Sequence, residues 1–143
     1  MIESSLVPPN EIWYTTTDRK PIELHDSTLE KTISNTYKDG KGVIVFKEPV
    51  VEIGEGSFRD CINLWRVVIP EGVTKIEACA FNGCTGLCGV VLPSSVTSIG
   101  NDAFNQCSKL KFINIPEETE DFYGEHLNKF CLVLEDDSEY FEE

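Results

Sequence analysis

Apolar positions along this chain recur every 23 residues. Ile53, Ile76 and Ile99 form one column, Phe58, Phe81 and Phe104 a second, and Cys61, Cys84 and Cys107 a third. Leu64, Leu87 and Leu110 follow, then Val67, Val90 and Ile113, then Ile69, Leu92 and Ile115. Pro70, Pro93 and Pro116 close each unit, and Val73-Thr74 matches Val96-Thr97. Ile44 and Phe46 precede Val67 and Ile69 by the same interval, so a strand at Gly42–Phe46 enters in register. A fixed period of this length is the mark of a repeat architecture, in which no unit buries its inner face alone.

Each column has a physical reading. Val67 and Ile69 lie two apart and share one face of a short strand, with Arg66 and Val68 on the other. A proline after the strand offers no N–H and ends the pairing. Ile76, Ala80 and Phe81 are spaced for one or two helical turns facing inward. Ala80 and Ala103 are small enough for close approach, and Ser57 takes their place in the first unit. Phe58, Phe81, Phe104, Cys61, Cys84 and Cys107 are therefore read as a structural ladder.

The ends of such a stack need covers. "EIWYTTTDRKPIEL" alternates around Thr17–Lys20 and predicts a hairpin. "TISNTYKDGKGVIVF" predicts a second, turning at Asp39-Gly40, with Tyr37 facing Gly42 and Ile33 facing Phe46. A competing helix signal, the capping-box pattern Ser27-Thr28-Leu29-Glu30, covers Ser27 to Ile33. At the other end, Leu132 and Leu134 follow Ile113 and Ile115 by 19, which predicts a shortened last unit and an acidic tail.

Charge changes the picture in one way. Eleven acidic residues stand against Lys129 alone between Glu117 and Glu143, which is −10 of the chain's −13. That balance argues against nucleic acid, whose affinity rests on Lys and Arg displacing counterions. No run of eighteen apolar residues suggests membrane insertion. "MIESSLVPPN" lacks the basic and apolar regions of a signal peptide. The chain is read as cytoplasmic if Met1 is its native start, or as trimmed after a leader.

Six cysteines and two histidines are the candidates for chemistry. The column cysteines read as small core residues. Cys79, Cys84 and Cys88 resemble a metal spacing, but Cys84 should face the core while its neighbours diverge. His25 and His126 lie a hundred residues apart without a nucleophile beside them. No P-loop, G-x-S-x-G or H-E-x-x-H motif occurs. The expectation is no enzyme, no cofactor and no metal.

The motif from Val90 to Leu110, V-x-I/L-P-x-x-V-T-x-I-G-x-x-A-F-x-x-C-x-x-L in outline, strongly resembles the BspA-like leucine-rich-repeat family. Glu77 stands where Gly54 and Gly100 recur, and the pattern decays after Pro116. The resemblance implies a short right-handed solenoid of α/β repeats, with a parallel strand ladder, outer helical turns and a β-hairpin N-terminal cap. On that reading residues 1–41 are the cap, 42–118 the repeats, and 119–143 the last unit and acidic tail, all one domain. It also implies a secreted or cell-surface protein with a non-catalytic, protein-binding or adhesive role. The alternative is a structural spacer cut from a longer surface array.

The candidate binding surface is the outward strand face. Val45, Trp65, Arg66, Val68, Val91, Phe112 and Asn114 are its expected residues, with a Val45-Val68-Val91 stripe at its centre. Trp65, Cys88 and Lys111 should share one column at its edge. Five strands at about 4.8 Å make a face on the order of 200 Å², against about 800 Å² per partner in a standard interface. The face is thus expected to bind a protein partner weakly, to pair with a second copy, or to act with the segment carrying Trp13 and Tyr14.

Overall fold

A computed structural model of the chain describes residues 4–114. The readings placed on Ile115, Pro116 and residues 117–143 lie outside them. A short turn of 3-10 helix at Ser4–Leu6 precedes β1 (Glu11–Thr16), α1 (Asp26–Glu30), β2 (Thr32–Lys38) and β3 (Lys41–Phe46). The repeats then contribute β4 (Glu52–Ile53), β5 (Leu64–Val68), β6 (Lys75–Ile76), β7 (Gly89–Val91), β8 (Ser98–Ile99) and β9 (Phe112–Ile113). They form a six-stranded sheet in the order β2-β3-β1-β5-β7-β9 and a three-stranded sheet in the order β4-β6-β8.

The 23-residue register holds in three dimensions. Val67 pairs with Val90 and Val90 with Ile113, all parallel. Ile53 pairs with Ile76 and Ile76 with Ile99 in the second sheet. The phenylalanine column stacks between the sheets. Ring centroids of Phe58 and Phe81 lie 5.1 Å apart and those of Phe81 and Phe104 5.3 Å apart, with planes 13° and 4° from parallel. All three rings are buried, as are the leucine and alanine columns. Truncating one such ring to Ala costs about 3–5 kcal/mol once the cavity is included.

The outer turns are not the helices that the spacing suggested. Each unit carries two residues in the left-handed region, in columns 23 apart. Gly56, Cys79 and Asp102 have φ of 64°, 58° and 58°; Asp60, Gly83 and Gln106 have 60°, 83° and 65°. A left-handed residue every fourth position stops a right-handed helix. Alternate N–H groups bond across to the next unit instead: Phe58 to the Ala80 carbonyl (2.7 Å) and Phe81 to that of Ala103 (2.7 Å). The α/β expectation is corrected here, since the described residues are mostly sheet and turn.

The hairpin at Asp39-Gly40 forms, with φ of 54° and 80° at its two turn residues. Tyr37 faces Gly42, as its spacing requires. A bulge shifts the other end, so Thr32 rather than Ile33 faces Phe46, and Ile33 is left 64% exposed. The helix α1 is present but short. Its N-cap is His25, without a side-chain capping bond, so the Ser27 capping box is not realised.

The hairpin expected across residues 11–24 does not form. β1 runs antiparallel between β3 and β5 and pairs with both. Ile22 is buried in the core and gives its N–H to the Tyr14 hydroxyl (3.3 Å) rather than to a strand ladder. The insertion of β1 also corrects the expected stripe. Val45 faces Glu11, and the row across the sheet reads Val43, Trp13, Val68, Val91.

Candidate functional site

The outward face of the large sheet divides into a covered part and an open part. Val68, Val91 and Phe112, expected in solvent, are 1%, 4% and 1% exposed. They form a second apolar cluster with Val7, against which Trp13 packs. The segment after Ser4–Leu6 thus lays Val7 over a face that strand alternation alone left open. Asn114 is occupied structurally. Its side-chain oxygen accepts the Leu92 N–H (2.6 Å) and its amide donates to the Leu92 carbonyl (3.1 Å). One side chain thus continues the parallel ladder beyond β9.

The open part lies on β1, β3 and β5. Trp13 and Thr15 project outward from β1 because Ile12, Tyr14 and Thr16 are buried. Trp13 donates its indole N–H to Glu11 Oε1 (2.9 Å), and the Lys41 ammonium stands 3.7 Å from its ring centroid. Val43 and Val45 are half-buried beside it on β3.

On β5 the register slips: Thr15 faces Arg66 and Thr16 faces Leu64. Trp65 is the extra residue of that bulge. A bulge re-aims side chains that strict alternation would send to opposite faces. Here it lets the Arg66 guanidinium lie over the adjacent Trp65 ring, 3.2 Å from its centroid. Trp65 remains 36% exposed. Its carbonyl accepts the Cys88 N–H (2.7 Å), and the Cys88 carbonyl accepts that of Lys111 (2.9 Å), so the expected edge column is real. Both tryptophans of the chain, each under a cation, therefore occupy one patch.

Of the seven expected surface residues, the structure brings Trp65, Arg66 and Val45 to the open part and withdraws Val68, Val91, Phe112 and Asn114. Trp13, expected to act with the face from the N-terminal segment, belongs to the patch itself, as does Lys41, which the sequence did not single out. Alternation in "EIWYTT" already set Trp13 outward; what the alternation lacked was the position of β1 between β3 and β5.

The core beneath is strongly protonated. Burial pushes the Tyr14 phenol up to about 12, with the nearby Tyr37 and Cys61 adding to the shift, against hydrogen bonds from Ile22 and with Asn35. Tyr14 donates to Asn35 Oδ1 (2.5 Å), and Asn35 donates to the Ile22 carbonyl (2.8 Å). Burial likewise pushes the Cys61 thiol up to about 12. The Cys107 thiol beside Cys84, and burial, push Cys84 up as well. A protonated thiol is a poor nucleophile and a poor ligand. The column cysteines instead donate to carbonyls of the preceding unit, Cys84 to Phe58 (3.0 Å) and Cys107 to Phe81 (3.2 Å). Asp18 is held low by the Asn63 amide (3.1 Å), a contact that ties the loop after β1 to the start of β5.

Among the described residues the five cysteines are free thiols, and no group of three His, Cys, Asp or Glu side chains is placed to hold a metal. His25 Nε2 lies 2.7 Å from the Arg59 carbonyl. No helix among these residues is long and apolar enough to cross a membrane.

No curated protein matches the chain. Among solved structures it is similar to a leucine-rich repeat protein of T. pallidum, with 38% identity and a TM-score of 0.47. That match covers 49% of this chain and 33% of the other, so the chain spans about a third of that protein's length. The family model for BspA type leucine rich repeat regions matches residues 31–135 in six copies. With a model match over most of its length and the 23-residue pairing seen in both sheets, the chain belongs to the BspA-type leucine-rich repeat family.

Proposed function

We propose that the protein is a non-catalytic interaction module that holds a protein partner on the patch formed by Trp13, Lys41, Trp65 and Arg66. The carrying observation is the Trp65 bulge, which sets a partly exposed indole and a guanidinium on one face beside a second cation-stacked tryptophan. Tryptophan and arginine are among the side chains most enriched at binding hot spots: the indole buries a large rigid area with two rotors to freeze, and the planar guanidinium is pre-organised for stacking and paired hydrogen bonds. Leucine-rich repeats generally mediate protein–protein interaction, and BspA-type repeats are often surface-associated, typically without enzymatic activity. Those tendencies support an interaction or adhesion role at the cell surface.

The test is selection of displayed peptides and small domains on the immobilised full chain, followed by titration. The expected result is a saturable binder whose affinity falls at least about tenfold in Trp65→Ala. Selection that yields no saturable binder, or only binders indifferent to Trp65 and Trp13, overturns the reading.

A further inference from the structure

At the first unit the outer turns leave two carbonyls that no donor meets among the described residues. In the second and third units the carbonyls of Ala78 and Ala80, and of Asn101 and Ala103, each accept an N–H from the unit before. The matching carbonyls of the first unit belong to Glu55, Ser57 and Arg59. By the same geometry they point away from the second unit. That of Arg59 meets His25. Among the described residues no donor meets those of Glu55 and Ser57. In the 23-residue register the donors would be Ile33 and Asn35, but β2 carries both into the large sheet.

Beside these carbonyls opens a cleft of about 400 Å³, lined by Phe46, Val50, Val51, Ile53 and Phe58. Pockets that bind small groups run about 300–1,000 Å³. Glu30, Glu48, Glu52 and Glu55 stand around it against Lys31 and Lys47. The place thus combines two free main-chain acceptors, an apolar recess and an excess of negative charge.

We propose that this cleft docks an extended peptide segment of a partner protein, with an apolar side chain flanked by lysine or arginine. The segment's N–H groups meet the Glu55 and Ser57 carbonyls in the way Gly56 and Phe58 meet Ala78 and Ala80. Its apolar side chain enters the recess, and its cations face the glutamates. Main-chain pairing supplies affinity while the recess and the charges select the sequence. The proposal rests on the reading of the chain as an interaction module, but uses a surface apart from the tryptophan patch.

The experiment is a titration of the isotope-labelled full chain with the blocked peptide Lys-Val-Phe-Val-Lys, followed by amide NMR shifts. Saturable shifts confined to the cleft, at Ile12, residues 27–31 and residues 46–59, are expected. Three changes should each weaken binding about tenfold or more: Val51→Lys in the chain, glutamate in place of the peptide lysines, and N-methylation of the peptide's central amides. Val51 is 60% exposed, so its substitution leaves the core intact, and spectral dispersion reports this directly. Trp65→Ala should leave peptide binding unchanged. Absence of shifts up to millimolar peptide, shifts centred on Trp13 and Trp65, or equal binding of the N-methylated peptide overturns the proposal. Displayed binders that depend on Trp65 while the cleft stays silent would sink the cleft and leave the module reading standing; the converse would sink only the patch.

Discussion

The Tyr14 ring lies over Gly42 on the neighbouring strand, in the volume that a side chain there would need. A β-carbon at 42 would fall inside the ring. Gly42→Ala is therefore expected to cost about 1–3 kcal/mol, the usual penalty of overpacking. Tyr14→Ala is expected to cost about 3–5 kcal/mol, as for other buried aromatics. In the Tyr14→Ala background Gly42→Ala should cost almost nothing. Urea midpoints of the four proteins form the cycle, and additive losses would refute the relationship.

Stability should fall at alkaline pH for a stated reason. The Tyr14 phenol and the Cys61 thiol have folded-state values near 12, above the ordinary 10.0 and 9.0. A raised value means the folded state holds its proton more tightly. The resulting stabilisation is complete below pH 9 and is lost as pH rises through 12. Chemical denaturation between pH 8 and 12 measures the slope, and Tyr14→Phe should flatten the part above pH 10.

The left-handed columns separate residues that fit from two, Cys79 and Gln106, that do not. Cys79 sits at φ 58° in the column that Gly56 begins. Cys79→Gly relieves a strain of about 1–2 kcal/mol and, after the loss of chain stiffness, should raise stability by about 0.5–1 kcal/mol. Gly83→Ala should lower stability by about 1–2 kcal/mol, since Gly83 has φ 83° and its β-carbon would strike the Asp60 carboxylate. Thermal melts of the two variants should move in opposite directions.

Thiol reactivity should divide the cysteines by burial. Cys79 and Cys88 are partly exposed, whereas Cys61, Cys84 and Cys107 are buried, and burial also pushes the Cys61 and Cys84 thiols up. Brief alkylation of the native protein followed by peptide mapping should label the first pair. Labelling of the column cysteines should appear only in denaturant. Equal labelling of all five would contradict the packing.

Val68→Lys distinguishes a binding face from a buried one. On an exposed stripe a lysine would alter binding and leave stability within about 0.5 kcal/mol. Beneath Val7 and beside Phe112 it puts an unpaired charge in an apolar cluster, and stability should drop by several kcal/mol. A denaturation curve coincident with that of the parent would restore the exposed reading.

The repeat itself was legible in one dimension. Columns such as Phe58, Phe81 and Phe104 need only local spacing and a constant period, because each unit packs on a copy of itself. The Asp39-Gly40 hairpin was legible for the same kind of reason, since a two-residue turn fixes its register locally. Three features were decided only by tertiary structure. β1 pairs with β3 and β5 rather than with residues 21–24, a choice between partners more than twenty residues apart that alternation does not rank. Val7 joins Val68, Val91 and Phe112 in one buried cluster with Trp13 packed against it, so side chains distant in sequence help turn an outward strand face into a core. The Trp65 bulge sets Trp65 and Arg66 side by side, and bulges arise from the fit of two strands rather than from either alone. Local periodicity determined which residues stack, and long-range pairing determined which faces remain for a partner.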